Sequence, residues 1–498
     1  MFSPSVNQKF ILCVLSGFVT GLAHHPLSLG FLAWISLIPF LYSIQSLLTY
    51  KRIISAGFLF GFSYSITQIF WLSMNIGTTP LIAKITMISA SLYLTIFHIL
   101  FGVIFFRIKK VSPWIGIWVI AIIWVAVEYL KSLGLLGFPW VVLGNTQWEY
   151  LYPIQLSEYT GVYGISFWVI LINIGLFQLF KLREKKYLFI TILIFALPFV
   201  FGKYLLSNLP PSTNKMNITL IQPNLHLSDK WGRGPIKNLN HIIETSKIFL
   251  TDSTELLIWP ETAVTTFLRV DSKTEVLIRD FLQENSFDLL TGFPEIVKTK
   301  DEKKYYNSIG LLNNDGVIQS YQKIHPVPMA EHIPFSSVFP SLKKLNLGQA
   351  NWDIGENYTL FNTNDITYSG VICYESTYPS LVRKFVEKGA EFIAVLVNDG
   401  WYETPPEPQQ HASQSIFRAI ENRRVVVRSA NTGISMIIDS SGEILEETTL
   451  NEKVGISSTI HLFKELTFYS KYGDVFSWIM LIFTFGLLGI KLKRTEID

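Results

Sequence analysis

Runs of apolar residues long enough to cross a bilayer crowd the start of this chain and recur once at its end, leaving a long polar stretch between them. A hydrocarbon core ~30 Å thick takes about 20 residues of helix. Seven runs near that length precede residue 210, at roughly 8–23, 27–48, 53–74, 80–106, 113–130, 162–180 and 187–206, and an eighth lies at 474–490. The first is short and ends at His24-His25-Pro26, but no Ala-x-Ala-like cleavage site follows, so it reads as a retained helix rather than a signal peptide. With 49% apolar residues and a mean hydropathy of +0.34, a single soluble domain is excluded. Three parts are expected: 1–211, a transmembrane bundle of seven helices; 212–473, a polar domain; and 474–498, a last transmembrane helix with its tail.

Charge sets the expected topology. Residues 1–211 carry 13 basic and 4 acidic side chains, whereas 212–473 carry 25 basic and 31 acidic. Lys51-Arg52, Arg107 with Lys109 and Lys110, and Lys181 with Arg183, Lys185 and Lys186 follow the second, fourth and sixth runs. The alternate loops are nearly free of them, with Lys131 the main exception, and Lys491, Lys493 and Arg494 follow the last run. The positive-inside rule then puts both termini in the cytoplasm and the polar domain on the outer side. That domain is acidic, which argues against nucleic-acid binding.

Within the polar domain, short strand-like runs alternate with amphipathic helices, the signature of an α/β layered fold. Strands are expected at Asn217–Gln222, Leu256–Trp259, Phe287–Gly292, Asn307–Leu312, Val317–Lys323, Thr367–Cys373, Phe392–Asn398, Val425–Ser429, Gly433–Asp439 and Glu443–Glu447. Helices are expected near 236–250, 273–284, 378–388 and 408–423. Two stretches read as loops by their prolines: 324–341, with Met329, Phe335 and Phe339, and 399–410, with Trp401 and Tyr402. Apolar, aromatic loops on a polar domain suggest contact with lipid.

Chemistry is concentrated at three strand ends. Cys373 is the only cysteine outside the apolar runs, since Cys13 lies in the first. An unpaired thiol in an oxidising compartment is either a buried structural residue or one retained for reactivity. A thiol needs a base, because the thiolate is the nucleophile. None of His226, His241, His325, His332, His411 and His461 sits in a recognisable cysteine-protease setting. Glu261 emerges after the Leu256–Trp259 strand and a proline, and a buried carboxylate can serve as base. Lys323 ends another strand and supplies a cation for an oxyanion. No metal-ligand spacing of the HExxH or CxxC kind is present.

Glu261, Lys323 and Cys373 in this order, with the Cys373-Tyr374-Glu375 context, resemble the nitrilase superfamily, and the flanking apolar runs narrow the resemblance to its membrane-embedded apolipoprotein N-acyltransferase family. Supporting stretches are Gly137-Phe138-Pro139-Trp140, Trp259-Pro260-Glu261-Thr262-Ala263, Tyr306-Asn307-Ser308, Tyr321-Gln322-Lys323 with Val327-Pro328 and Glu331, Asn398-Asp399-Gly400-Trp401, and Arg428 through Gly433. Pro326, Gly400 and residues 402–410 depart from the family pattern. The resemblance implies an α-β-β-α sandwich inserted in eight transmembrane helices, in a bacterial inner membrane with the catalytic domain in the periplasm. It implies a ping-pong transfer from a phospholipid acyl donor, through a Cys373 thioester, to the α-amine of a diacylglyceryl apolipoprotein acceptor. Glu261 would be the base and Lys323 the oxyanion partner, with Asn307, Glu331, Tyr374 and Glu375 in support and Trp140, Trp401 and Phe335 at the lipid. No cofactor, metal or nucleic acid is implied, and the chain reads as a monomer. Whether Glu331 or Glu375 orients Lys323 stays open. The alternative is a membrane-tethered nitrilase-type amidase acting on small C–N bonds.

Overall fold

The computed structural model describes residues 4–111, 116–298, 302–335, 339, 341, 351–402 and 404–490. The chain forms two compact units: Met1–Met74, Pro80–Asn208 and Tyr472–Asp498 make one, and Asn75–Thr79 with Leu209–Lys471 make the other.

The first unit is helical. Pro80–Val111, Val162–Leu182 and Lys185–Ser207 are long and apolar enough to cross a membrane, and Val6–Leu22, Gly30–Ser46 and Val475–Gly489 are shorter apolar segments. Ser5 opens Val6–Leu22 with a reciprocal cap: its hydroxyl accepts from Gln8 N–H, and the Gln8 side chain accepts from Ser5 N–H. Two expected runs are interrupted. The 27–48 run is a 3-10 turn, Gly30–Leu32, followed by Ala33–Ser36 and Ile38–Ser46. The 53–74 run falls in a helix, Tyr50–Gln68, that gives way to a 3-10 turn, Phe70–Met74. Part of the 113–130 run lies outside the described residues, and Val119–Lys131 is helical.

The second unit is an α/β sandwich. Its strands are β1 (Asn214–Gln222), β2 (Leu256–Ile258), β3 (Asp288–Lys298), β4 (Lys303–Asn313), β5 (Gly316–Gln322), β6 (Leu360–Thr363), β7 (Ile366–Ile372), β8 (Phe392–Val397), β9 (Val425–Ala430), β10 (Met436–Ile438), β11 (Ile444–Glu447) and β12 (Val454–Leu462). They form two sheets, ordered β12-β1-β2-β3-β4-β5 and β11-β10-β9-β8-β7-β6. In each, three parallel strands (β1-β2-β3 and β7-β8-β9) are flanked by antiparallel ones. Parallel neighbours need crossovers, and helices supply them. Pro235–Phe249 and Ser272–Gln283 cover one sheet, burying Leu239, Ile242, Ile278 and Phe281 against Leu257 and Leu289. Pro379–Glu387 and Glu407–Asn422 serve the other. The sheets meet face to face: the Ser429 hydroxyl donates to the carbonyls of Ile221 (3.1 Å) and Ile258 (3.4 Å).

Four differences from the expected elements have local causes. β3 runs past Pro294 to Lys298, because β2 pairs only as far as Leu290 and the missing proline N–H has no ladder to break. β6 and β12 are edge strands with polar residues that blunt the apolar alternation. A short helix, Leu227–Gly232, follows β1. The helix expected near 408–423 begins at Glu407, inside the proline-rich stretch, with Pro408 in its first turn where no intrahelical N–H is needed.

Candidate active site

In open α/β sheets the side chains beyond the carboxyl ends of parallel strands converge on a crevice. Glu261 follows β2. The backbone N–H of the fully buried Trp259 donates to the Leu290 carbonyl (2.9 Å), and its indole N–H to the Ser246 hydroxyl (2.9 Å). Gly292 on β3 lets the Glu261 turn pack down, since a Cβ there would lie 2.5 Å from the Thr262 nitrogen. Lys323 follows β5; its N–H donates to the Asn307 carbonyl (2.9 Å), and its carbonyl accepts from Gly355 N–H (2.8 Å). Cys373 follows β7 and opens the 3-10 turn Cys373–Thr377 with φ +50°. A non-glycine residue held there costs on the order of 1–3 kcal/mol.

Glu375 holds that turn. One of its oxygens accepts from Ile372 N–H (2.8 Å); the other accepts from the Tyr321 hydroxyl (2.7 Å), Ile324 N–H (2.7 Å) and His325 N–H (3.1 Å). Glu331 has a different task. Its oxygens lie 2.8 and 2.9 Å from Lys323 Nζ, and one also accepts from Val327 N–H (2.7 Å). In space the two carboxylates differ: Glu331 grips the lysine, and Glu375 ties the cysteine turn to the backbone after Lys323. Lys323 Nζ is 3.6 Å from Glu261 Oε1, and Asn307 Nδ2 donates to Glu261 (2.8 Å) and Glu331 (3.4 Å). Tyr374 is buried, its ring edge-on to Tyr378.

Burial governs the electrostatics. It raises the Glu261 carboxyl above the ordinary range, assisted by Glu331 and opposed by Lys323, Asn307 and Lys230. Burial also lifts the Cys373 thiol well above its usual value, as does the Glu261 charge, while Lys323 pulls the other way. The resting sulfur is a neutral thiol. Burial pulls Lys323 down, but the charges of Glu331 and Glu261 outweigh it and hold the ammonium charged.

A cavity of about 350 Å³ adjoins these groups, a volume in the range of small-ligand sites. Glu261, Asn307 and Glu331 line it, with Trp231, Trp352 and Trp401 among the apolar walls; Cys373 is not among the described lining residues. Trp401 is thus brought to the site. Phe335 is half-exposed with φ +62° and is not one of the described lining residues. Trp140 belongs to the first unit, where it is buried against Trp71 (ring centroids 5.1 Å apart).

Sequence reasoning missed a second cation and a second polar cluster. Lys230, buried on Leu227–Gly232, donates to the Glu261 carbonyl (3.1 Å) and the Thr262 hydroxyl (2.6 Å); burial brings its amine down to about 8. On another side, Cys373 Sγ, an Asp399 oxygen and a His411 nitrogen lie within 4.8 Å of one another. Thiol, carboxylate and imidazole are metal-ligand types, but the donor set does not fit an ion. Asp399 already accepts from Arg428 and is paired with His411, and the other His411 nitrogen faces the Cys373 carbonyl and the Ser376 hydroxyl. Strand-end position signals Asp399, which follows β8; nothing local to the sequence signals Lys230 or His411.

Residues 16–175 match the family model described as apolipoprotein N-acyltransferase N-terminal domain, and residues 217–462 match the model described as carbon-nitrogen hydrolase. The chain is 28% identical to the apolipoprotein N-acyltransferase of Geobacter metallireducens, covering 100% of this chain and 98% of that one. It is also 28% identical to those of Chlorobaculum tepidum (98% and 96% covered) and Thermotoga maritima (98% and 95%). Among solved structures it is similar to Nit3 of Saccharomyces cerevisiae, a nitrilase-superfamily member, with 18% identity, a TM-score of 0.39, and 50% of this chain and 91% of that one covered.

Proposed function

The chain belongs to the apolipoprotein N-acyltransferase family, and from that premise we propose a two-stage transfer through Cys373. The protein is a membrane acyltransferase that N-acylates lipoproteins. In the first stage Glu261 takes the thiol proton as Sγ attacks an ester carbonyl of a phospholipid. The carbonyl oxygen becomes an oxyanion facing the Lys323 ammonium. Collapse expels the lysophospholipid alkoxide, which takes the proton from Glu261 and leaves an acyl thioester on Cys373. In the second stage the α-amine of a diacylglyceryl-cysteine attacks the thioester, Glu261 accepts an amine proton, and collapse to the amide returns that proton to sulfur.

One observation supports this reading: Glu261 and Lys323, two buried groups from separate strand ends, stand 3.6 Å apart, and each is electrostatically coupled, with opposite sign, to the thiol that ends a third strand. The raised thiol pKa fits concerted proton transfer, because the thiolate then forms only as the new bond does. Glu331 keeps Lys323 aimed, and Glu375 keeps the cysteine turn in place.

We further propose eight membrane crossings, with residues 212–473 on the periplasmic side of a bacterial inner membrane and the chain acting as a monomer; the alternation of basic loops supports the orientation. Both substrates are lipid-anchored, at ~0.8 kcal/mol per buried CH₂, so a membrane-bound enzyme avoids extracting them into water. Trp401, which lines the cavity, and the half-exposed Phe335 are assigned to lipid contact, whereas Trp140, buried against Trp71, has almost no surface to offer lipid.

The test is intact mass after incubation with phospholipid alone. Wild type gains one acyl group, a diacylglyceryl-cysteine peptide removes it, and Cys373→Ser never gains it. A wild type that stays unmodified refutes the thioester. An adduct lost to water at the same rate with and without peptide favours the amidase-type alternative.

A further inference from the structure

Cys373 holds a left-handed backbone conformation (φ +50°), and the proposed reaction asks that its sulfur be kept within reach of Glu261. Glu375 fixes the residue before it and the segment after Lys323, but the Cys373 carbonyl needs partners of its own. It accepts from the Ser376 hydroxyl at 2.8 Å, and His411 Nε2 lies 3.1 Å from the same carbonyl oxygen and 3.1 Å from Ser376 Oγ. Ring nitrogen, hydroxyl and carbonyl close a triangle behind the nucleophile.

The ring is itself held. Its Nδ1 is 2.9 Å from Asp399 Oδ1, and the other Asp399 oxygen accepts from Arg428 Nη2 at 2.8 Å. Burial alone raises the Asp399 carboxyl, but Arg428 and His411 outweigh it and keep it ionised. An ionised carboxylate only accepts, so Nδ1 carries a proton and the ring cannot flip without losing that bond. Arg428 is anchored in turn, its Nε donating to the Ile434 carbonyl (3.1 Å). Space is made for the array: a Cβ on Gly433 would lie 2.3 Å from Asp399 Oδ2. Arg428, Asp399 and His411 are all buried. The order guanidinium, carboxylate, imidazole runs from β9 through the turn after β8 to the Glu407–Asn422 helix and ends on the cysteine backbone.

A Cys-His-Asp arrangement suggests a thiol base, but burial keeps the ring neutral with its proton on Nδ1, so His411 Nε2 only accepts and shares the Ser376 hydroxyl proton with the Cys373 carbonyl. We propose that His411, oriented by Asp399 and Arg428, is a positioning residue for the acyl transfer: through the Ser376 hydroxyl it fixes the Cys373 turn so that Sγ is presented to Glu261 and Lys323. The inference rests on Cys373 being the acylated residue. Reacting atoms displaced by about 1 Å lose on the order of 100-fold in rate, and the loss falls on the chemical step, not on lipid binding.

The experiment follows acylation of the full-length protein in detergent–phospholipid micelles by rapid quench and intact mass. His411→Ala lowers the maximal acylation rate about 30–100-fold and leaves the phospholipid concentration for half-maximal rate within twofold. His411→Gln, whose amide oxygen can accept from the Ser376 hydroxyl on the same side, recovers at least fivefold of that loss. Asp399→Asn, nearly isosteric, lowers the rate about tenfold and decides the matter if His411→Ala does not fold. The proposal is overturned if the folded variants acylate within twofold of wild type, if the half-maximal concentration changes instead of the rate, or if Gln rescues nothing. A wild type that never acylates refutes the Cys373 reading instead.

Discussion

Glu128 and Lys131 lie one turn apart on a single helix of the first unit, while Glu261 and Lys323 are brought together in the second from strand ends more than 60 residues apart. All four side chains are buried. In the first pair each charge has a backbone partner: Glu128 accepts from Leu143 N–H (2.8 Å), as well as from the Trp124 indole (3.4 Å), and Lys131 donates to the Val141 carbonyl. The pair pins the segment that follows Gly137-Phe138-Pro139-Trp140. In the second pair the groups face each other and the thiol, and Asn307 and Glu331 hold them without neutralising the site. A buried charge is costly unless paired and hydrogen-bonded. The same two residue types can therefore serve as a clamp, when backbone absorbs them, or as chemistry, when a third titratable group is left to respond.

The sharpest way to break the comparison is to neutralise the carboxylate of each pair. Glu261→Gln keeps the Asn307 contact geometry but removes the proton acceptor. Its acylation rate is expected to fall about 10²–10⁴-fold, the usual worth of general base catalysis, with thermal unfolding shifted by no more than a few degrees. A rate within tenfold of wild type means another group takes the thiol proton.

A smaller effect sharpens the electrostatic half of the argument. In the proposed reaction Glu261 serves as base only when ionised, and burial raises its pKa above the ordinary carboxylate value. Acylation is lost as pH falls through that raised pKa, about tenfold per unit below it, so the acid limb of the rate profile lies above the ordinary carboxylate range. Lys230 pulls the Glu261 pKa down. Lys230→Met removes that pull, so the limb moves to higher pH, with a several-fold lower rate on its slope and a smaller change on its plateau. A limb that stays put or moves to lower pH contradicts the assigned coupling.

The contrast also explains what the sequence disclosed. Glu261, Lys323 and Cys373 were visible because each ends a short apolar strand, and strand ends are local features. The Glu331–Glu375 division was not, because it depends on how the segment after Lys323 folds back, bringing Val327 N–H to one carboxylate and Ile324 and His325 N–H to the other. Lys230 lay in a stretch with no strand or motif, and its burial arises only when Leu227–Gly232 packs over the Glu261 turn. His411 was judged by its sequence neighbours, which carry no signal; its partners come from β7, β8 and β9. The expected strand ends at Gly292, whereas β3 runs on through Pro294, because a proline is tolerated where the neighbouring strand has already ended.

The mildest test falls on the clamp. Glu128→Gln leaves an oxygen for the Leu143 N–H but removes the negative charge beside a buried lysine, and an imperfectly compensated buried group costs about 1–3 kcal/mol. The protein should unfold at a lower temperature in detergent, while Cys373 acylation in the folded fraction stays within about threefold of wild type. Double replacement with Lys131→Met should recover part of the lost stability, because removing both members of a buried pair costs less than removing one. If Glu128→Gln instead abolishes acylation with stability unchanged, the first pair is chemical too, and the two units do not differ in the way their hydrogen bonds indicate.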